Sequence, residues 1–161
     1  MPRPQRRLEK KFIIVDADRI IKHPGEKDKF IDLLNYCKLQ NKKQTVPHFL
    51  IVDNPDFEYA ACLHVDEYKG QDVKRFITAQ LGFRSVEQFK CKEDIYDFLN
   101  SNGRSYQKMV NKIKNKPKLL RNEYSLRKKS FDIIIKDTIL NWDMFSNKGS
   151  NLEEFFDVID W

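Results

Sequence analysis

The sequence predicts an α/β fold, a partial parallel sheet with flanking helices and a mostly helical C-terminal half. Three observations lead there. KFIIVD (residues 11–16) and HFLIVD (48–53) are short, apolar, β-branched runs that each end in an acid. The segment between them carries helical rather than strand periodicity. Beyond Gly70 the apolar residues recur at helical spacing. Strand, long crossover, strand is the order that makes two strands parallel neighbours.

Residues 1–10 read as a basic, flexible lead-in to one domain over 11–161, divided into an α/β core (11–69) and a mainly helical portion (70–161). After the first strand, Pro24-Gly25 makes a turn. Phe30, Leu33, Leu34 and Cys37 then fall on one helical face. The polar NKKQTVP loop leads into the second strand, Asn54-Pro55 turns the chain, and FEYAACLHV starts a helix apolar nearly all round, hence buried. Val73, Phe76 and Ile77 predict a helix stopping near Gly82, and Ile95, Phe98 and Leu99 a short one before Asn102-Gly103. Tyr106, Met109, Val110 and Ile113 predict a basic helix ended by Pro117. Phe131, Ile134, Ile135, Thr138, Ile139 and Trp142 read as another helical stripe. Ser150 followed by Glu153 has the spacing of a capping box opening a last helix through Phe155, Phe156 and Ile159.

At 161 residues the chain can bury a core without disulfides, and twelve Phe, six Tyr and two Trp supply large apolar side chains to it. No apolar run approaches bilayer-spanning length, and the basic N-terminus lacks the apolar stretch of a signal peptide, so no membrane association is expected. Cys37, Cys62 and Cys91 are widely spaced and odd in number, which predicts reduced thiols and a cytoplasmic location. The net charge of +6 is unevenly spread: Arg104 to Lys136 holds eleven Lys/Arg against two acids, and Asp137 to Trp161 six acids against one Lys. Such a basic block suits a phosphate backbone, and equally a solvated helix face. Arg121, Arg127, Lys128 and Lys129 are its candidate phosphate contacts, for positioning rather than base reading. Arg19 faces either a phosphate or a surface ion pair. Tyr106 and Tyr124 have the type to stack on bases, although Tyr106 fits the apolar helix face better.

In parallel sheets ligands gather beyond the carboxyl ends of the strands. Asp16, Asp18 and Asp53 fall at that edge, with Asn54, Pro55, Asp56 and Glu58 following. Alternate residues of an extended chain point the same way, so Asp16 and Asp18 are expected to present two carboxylates to one hard cation such as Mg²⁺. Solvated strand-end acids are the alternative reading. Glu58 is either a site acid or a local cap, and His64 lies too far round the helix to share its metal, which favours a core histidine.

Asp16-Ala17-Asp18-Arg19, followed by Asn54-Pro55-Asp56-Phe57-Glu58 and then His64, resembles the signature of the RloB family. These are prokaryotic proteins linked to restriction and abortive-infection loci, with a core related to the TOPRIM fold. The resemblance covers roughly residues 11–161, and NLEEFFDVID looks like the family's closing helix. It implies a TOPRIM-like sheet and an Mg²⁺-dependent (or Mn²⁺-dependent) nuclease in antiviral defence, cleaving phosphodiesters in RNA, tRNA or DNA. It also implies Asp16 and Asp18 as metal ligands, Glu58 as an assisting catalytic acid, and a co-encoded ATPase or a second copy as partner. The family's pattern opens with a strand ending in Glu. Only fifteen residues precede Asp16 here, and they carry no such strand. The expectation is therefore an N-terminally incomplete member: a shortened enzyme, one completed by another chain, or a non-catalytic regulatory subunit.

Overall fold

β1 (Lys11–Asp16) and β2 (His48–Asn54) lie side by side and parallel, in register from Lys11 opposite His48 to Asp16 opposite Asp53. The computed structural model describes residues 9–137 and 147–159; most of the basic lead-in falls outside that range. The crossover is α1 (Ala17–Lys22) and α2 (Glu26–Lys42), joined through Gly25, whose φ of 86° suits a residue without a Cβ. On the far side of β2 a short β5 (Gly149–Ser150) pairs antiparallel, giving the sheet order β1-β2-β5. The fold is thus mixed α/β with one parallel pair, as the two apolar runs predict.

Every residue of β2 is buried because both faces of the sheet are covered. Alternation along the strands sorts the core into two layers. Leu50 and Val52, with Ile13 and Val15, pack on Ala17, Ile20, Phe30, Leu34 and Cys37 of the crossover. Ile51 faces the opposite layer, formed by α3 (Phe57–Cys62), α4 (Val73–Ala79), α5 (Val86–Lys90), α6 (Ile95–Leu99) and α7 (Tyr106–Lys114). Asp72, Ser85 and Ser105 cap α4, α5 and α7 by accepting a first-turn N–H, so these short helices have defined starts. Cys37 and Cys62 are buried and Cys91 exposed, all three free. Among the described residues no helix is long and apolar enough to cross a membrane.

The C-terminal half departs from the helical expectation. Residues predicted as the start of a helical stripe form β4 (Phe131–Asp137), paired antiparallel with β3 (Leu120–Leu126) in a hairpin. Phe131 and Ile135 are buried, whereas Asp132, Ile134 and Lys136 are exposed, which is the period of a strand. Consecutive β-branched isoleucines favour that state. Thr138, Ile139 and Trp142 lie outside the described residues. The expected capping box is also replaced. α8 (Glu153–Val158) follows Leu152, while Ser150 belongs to β5 and accepts the Leu152 N–H at 2.9 Å. Glu153 does not return to Ser150 but pairs with the buried Lys118 at 2.6 Å.

Gly149 locks this end of the molecule. A Cβ there would lie 2.1 Å from the Pro117 carbonyl oxygen, a backbone atom with no freedom to retreat. Gly149→Ala is expected to cost about 2–3 kcal/mol, the upper range for forcing atoms into a packed interior. A urea midpoint equal to wild type's would show that the 149–150 segment is not held against Pro117.

Candidate functional site

The carboxyl edge of β1 and β2 gathers the acids that the sequence singles out, but in a different grouping from the one expected. β1 ends at Asp16 and α1 begins at Ala17, so the chain is not extended through DADR and the alternation that would align Asp16 with Asp18 stops one residue too soon. Asp18 sits in the first turn of α1. Its N–H donates to the Pro55 carbonyl at 2.8 Å, and its carboxylate pairs with Lys22 at 3.0 Å. The neighbour of Asp16 is instead Asp53, its register partner on β2.

Asp53 is fully buried. One oxygen accepts from the Ser150 hydroxyl, and the other has no hydrogen-bond partner among the described residues. Burial raises its pKa to about 6, and the charges of Asp16 and Asp56 push the same way against the Ser150 bond. Asp16 is half-buried, and burial raises its pKa too, opposed by the Phe57 N–H that it accepts at 3.0 Å. Asp56 caps α3 through the Tyr59 N–H at 3.0 Å. The cis Asn54-Pro55 bond turns the chain between these acids, and Asn54 Nδ2 donates to the Asn147 carbonyl at 2.6 Å.

Glu58 is buried on α3 and pairs with Lys90 of α5 at 2.5 Å. The Lys90 charge also lowers the pKa of Asp16, so this lysine serves both acids. Sequence reasoning passed over Lys90 and read Ser150 only as a helix cap; each reaches the site from a distant segment. α3 ends at Cys62, so His64 lies beyond the helix. It is buried, with Nδ1 3.1 Å from the Ala61 carbonyl and 3.3 Å from that of Ala60. Burial holds its pKa below the usual imidazole range, as befits a neutral core histidine.

Arg19 is exposed, 4.0 Å from Glu26. With Asp16, Ile14, Ile20, Phe30 and Phe57 it borders a cavity of about 520 Å³ along the outer edge of β1. The basic segment is not one surface. Arg121, at the start of β3, shares a groove with Lys114, Lys116 and Lys118. Arg127, Lys128 and Lys129 are exposed around the hairpin turn. That turn reaches Gln44, whose side chain accepts the Phe131 N–H at 3.4 Å ahead of the amino end of β2. These three therefore lie at the end of the sheet opposite the carboxylates. Tyr124 is partly exposed, edge-on to Phe49, and Tyr106 stacks on Phe156.

Among the described residues no group of three or more His, Cys, Asp or Glu side chains is arranged to hold a metal. A hard cation that keeps most of its waters asks for less: one or two carboxylates with a free oxygen. Asp16 and Asp53, side by side and with one buried oxygen unpartnered, meet that requirement, whereas Asp18, tied to Lys22, does not add to it. No family model matches the chain, and comparison with curated proteins and with solved structures finds no significant match.

Proposed function

We propose that the chain is a metal-dependent, phosphodiester-cleaving module of TOPRIM-like type, acting on nucleic acid within a cytoplasmic antiviral defence system. The observation that supports it is the buried Asp53 carboxylate with an open oxygen, in register with Asp16 at the carboxyl edge of a parallel pair. Mg²⁺ or Mn²⁺ held by these two residues would polarise a phosphoryl oxygen and offset charge on the leaving oxygen. Asp53 and Asp16 supply the negative field, Ser150 orients Asp53, and the Phe57 N–H fixes Asp16. Buried Glu58 pairs with the half-exposed Lys90 beside Asp16, a positioning role rather than that of a free acid.

A second reading, an interaction subunit built by strand addition, has its own support. Among the described residues β1 is an edge strand, with Ile14 48% exposed and Phe57 41% exposed beside it, both bordering the cavity. An extended strand from an ATPase, from a fuller TOPRIM chain or from a second copy would find unpaired backbone there.

Cleavage of labelled RNA, tRNA and plasmid DNA, with Mg²⁺ or Mn²⁺ against EDTA, decides between them. Metal-dependent cleavage is expected, falling at least about 100-fold in Asp16→Asn, since charge stabilisation by a metal is worth several kcal/mol. Cleavage retained in the variant, or none by wild type with its co-encoded ATPase added, passes the function to the strand-addition reading.

A further inference from the structure

Beside the carboxylate edge, on the opposite side of Asn54 from Asp16, the fold gathers positive charge from three separate parts of the chain. A cavity of about 270 Å³ is lined by Tyr59 and Tyr68, Lys69, Lys112 and Lys116, and Lys148. The basic segment supplies Lys112 and Lys116 but does not by itself mark the cavity, because Lys69 and Lys148 come from segments far from α7.

The gathering is enforced by backbone packing. Gly149 pairs with Asn54 and lies against the Pro117 carbonyl, so Lys148 and Lys116 are held on neighbouring stretches of chain that leave no room to separate. Lys148 Nζ stands 5.9 Å from the centre of the Tyr59 ring. Lys112 donates to the Val65 carbonyl at 2.5 Å. Among the described residues Lys69, Lys116 and Lys148 form no ion pair. Asp66 and Glu67, the acids whose charge reaches Lys112, lie outside the lining, and Asp66 is already paired with Lys108. Burial, and then the like charges of Lys69 and Lys108, hold Lys112 below the usual ammonium range against the pull of Asp66. Behind the lysines, Tyr59 is 1% exposed and its hydroxyl has no hydrogen-bond partner among the described residues. Four lysines converge on one small cavity beside a buried tyrosine with an unpartnered hydroxyl, and an anion there would offset the repulsion among their ammonium groups.

The geometry points to a phosphate site: Lys69, Lys112, Lys116 and Lys148, with the Tyr59 hydroxyl behind them, take the phosphate group of a phosphate ester. The site goes beyond the nuclease reading, since it needs no metal and stands whether or not the neighbouring acids cleave anything. If the ester belongs to a nucleic-acid backbone, the cavity holds a phosphate flanking the one presented to Asp16 and Asp53.

Binding is measured in EDTA, so failure of the site and failure of cleavage are separate results. The probes are inorganic pyrophosphate and AMP by calorimetry, and fluorescein-labelled single-stranded RNA and DNA by anisotropy across a salt series. Wild type is compared with the Lys116→Gln/Lys148→Gln double variant, with Tyr59→Phe, and with Lys43→Gln at the exposed end of α2 as a control. The double variant is expected to lose about tenfold or more in pyrophosphate affinity, and its oligonucleotide salt slope to become shallower by about two counterions, with the control unchanged. Loss on the oligonucleotides as well as on pyrophosphate assigns the site to the backbone; loss on pyrophosphate and AMP alone assigns it to a free phosphate ester. Tyr59→Phe should raise the melting temperature without ligand, because it deletes an unpartnered buried hydroxyl, yet show a smaller shift on adding pyrophosphate. Wild-type affinity and slope in the double variant, a full pyrophosphate shift in Tyr59→Phe, or no binding of any probe by wild type would overturn the site.

Discussion

Glu154→Ala is expected to lower the unfolding free energy by about 3 kcal/mol, at the upper end for loss of a buried, charge-assisted hydrogen-bond acceptor. The carboxylate of Glu154 accepts the Asn122 N–H at 3.0 and 3.2 Å, Asn122 Nδ2 at 2.5 Å and Asn151 Nδ2 at 3.0 Å. Those two asparagines stand where a further strand would. Asn122 accepts from the Leu50 N–H at 3.3 Å and donates to the Leu50 carbonyl at 2.9 Å. Asn151 accepts from the Val52 N–H at 2.8 Å and shares the Leu50 carbonyl at 3.0 Å. The buried edge of β2 is thus satisfied by side-chain amides, and Glu154 holds both in place. Its removal leaves donors orphaned in the interior and loosens β2 just before Asp53. Urea unfolding gives the magnitude, and faster amide exchange at Leu50 and Val52 gives the location. Glu123→Ala, exposed on β3, should stay within about 0.5 kcal/mol of wild type. Equal losses from the two substitutions would mean that the network carries no special weight.

The same network explains what the sequence left illegible. β1, β2 and the crossover helix could be read because each carries its own apolar pattern, and the strand ends could be read because the acids follow directly. The hairpin could not. LRNEYSL buries Leu120 and Asn122 at its first and third positions, and a buried asparagine looks like a loop residue until its partners on β2 are known. The Ile133–Ile135 run has no period of its own, so spacing to residues beyond it suggested a helix. At the site, Asp16 and Asp53 were legible as strand ends, but pairing Asp16 with Asp18 assumed an extended chain where a helix begins. Ser150, Asn151 and Lys148 arrive through tertiary register from roughly a hundred residues away, which no local motif encodes. The Ser150–Glu153 spacing correctly drew attention to that segment while misnaming what it does.

The buried Asp53 makes a second large effect measurable without any knowledge of the substrate. Its folded-state pKa of about 6 exceeds the ordinary 3.8, so between those values the native protein binds more protons at this site than the unfolded chain. Stability contributed by this group is therefore present at pH 4, falls as pH rises toward 6 and stays low above it, a change of about 3 kcal/mol for a shift of that size. Asp53→Asn keeps an acceptor for Ser150 but cannot ionise, so it should be more stable than wild type at pH 8 and show no advantage at pH 4. Glu26, Asp66 and Asp94, whose pKa values are lowered by lysine partners, give wild type the opposite trend. They are unchanged in the variant and cancel in the difference. A divalent cation favours the ionised pair, so Mg²⁺ should raise the wild-type melting temperature at pH 8, do little at pH 5, and leave Asp53→Asn unmoved. An Mg²⁺ shift of the same size in the variant would place the cation elsewhere. A flat difference curve would mean that Asp53 stays ionised with a charge partner, and the unpartnered oxygen would lose its meaning as an open coordination position.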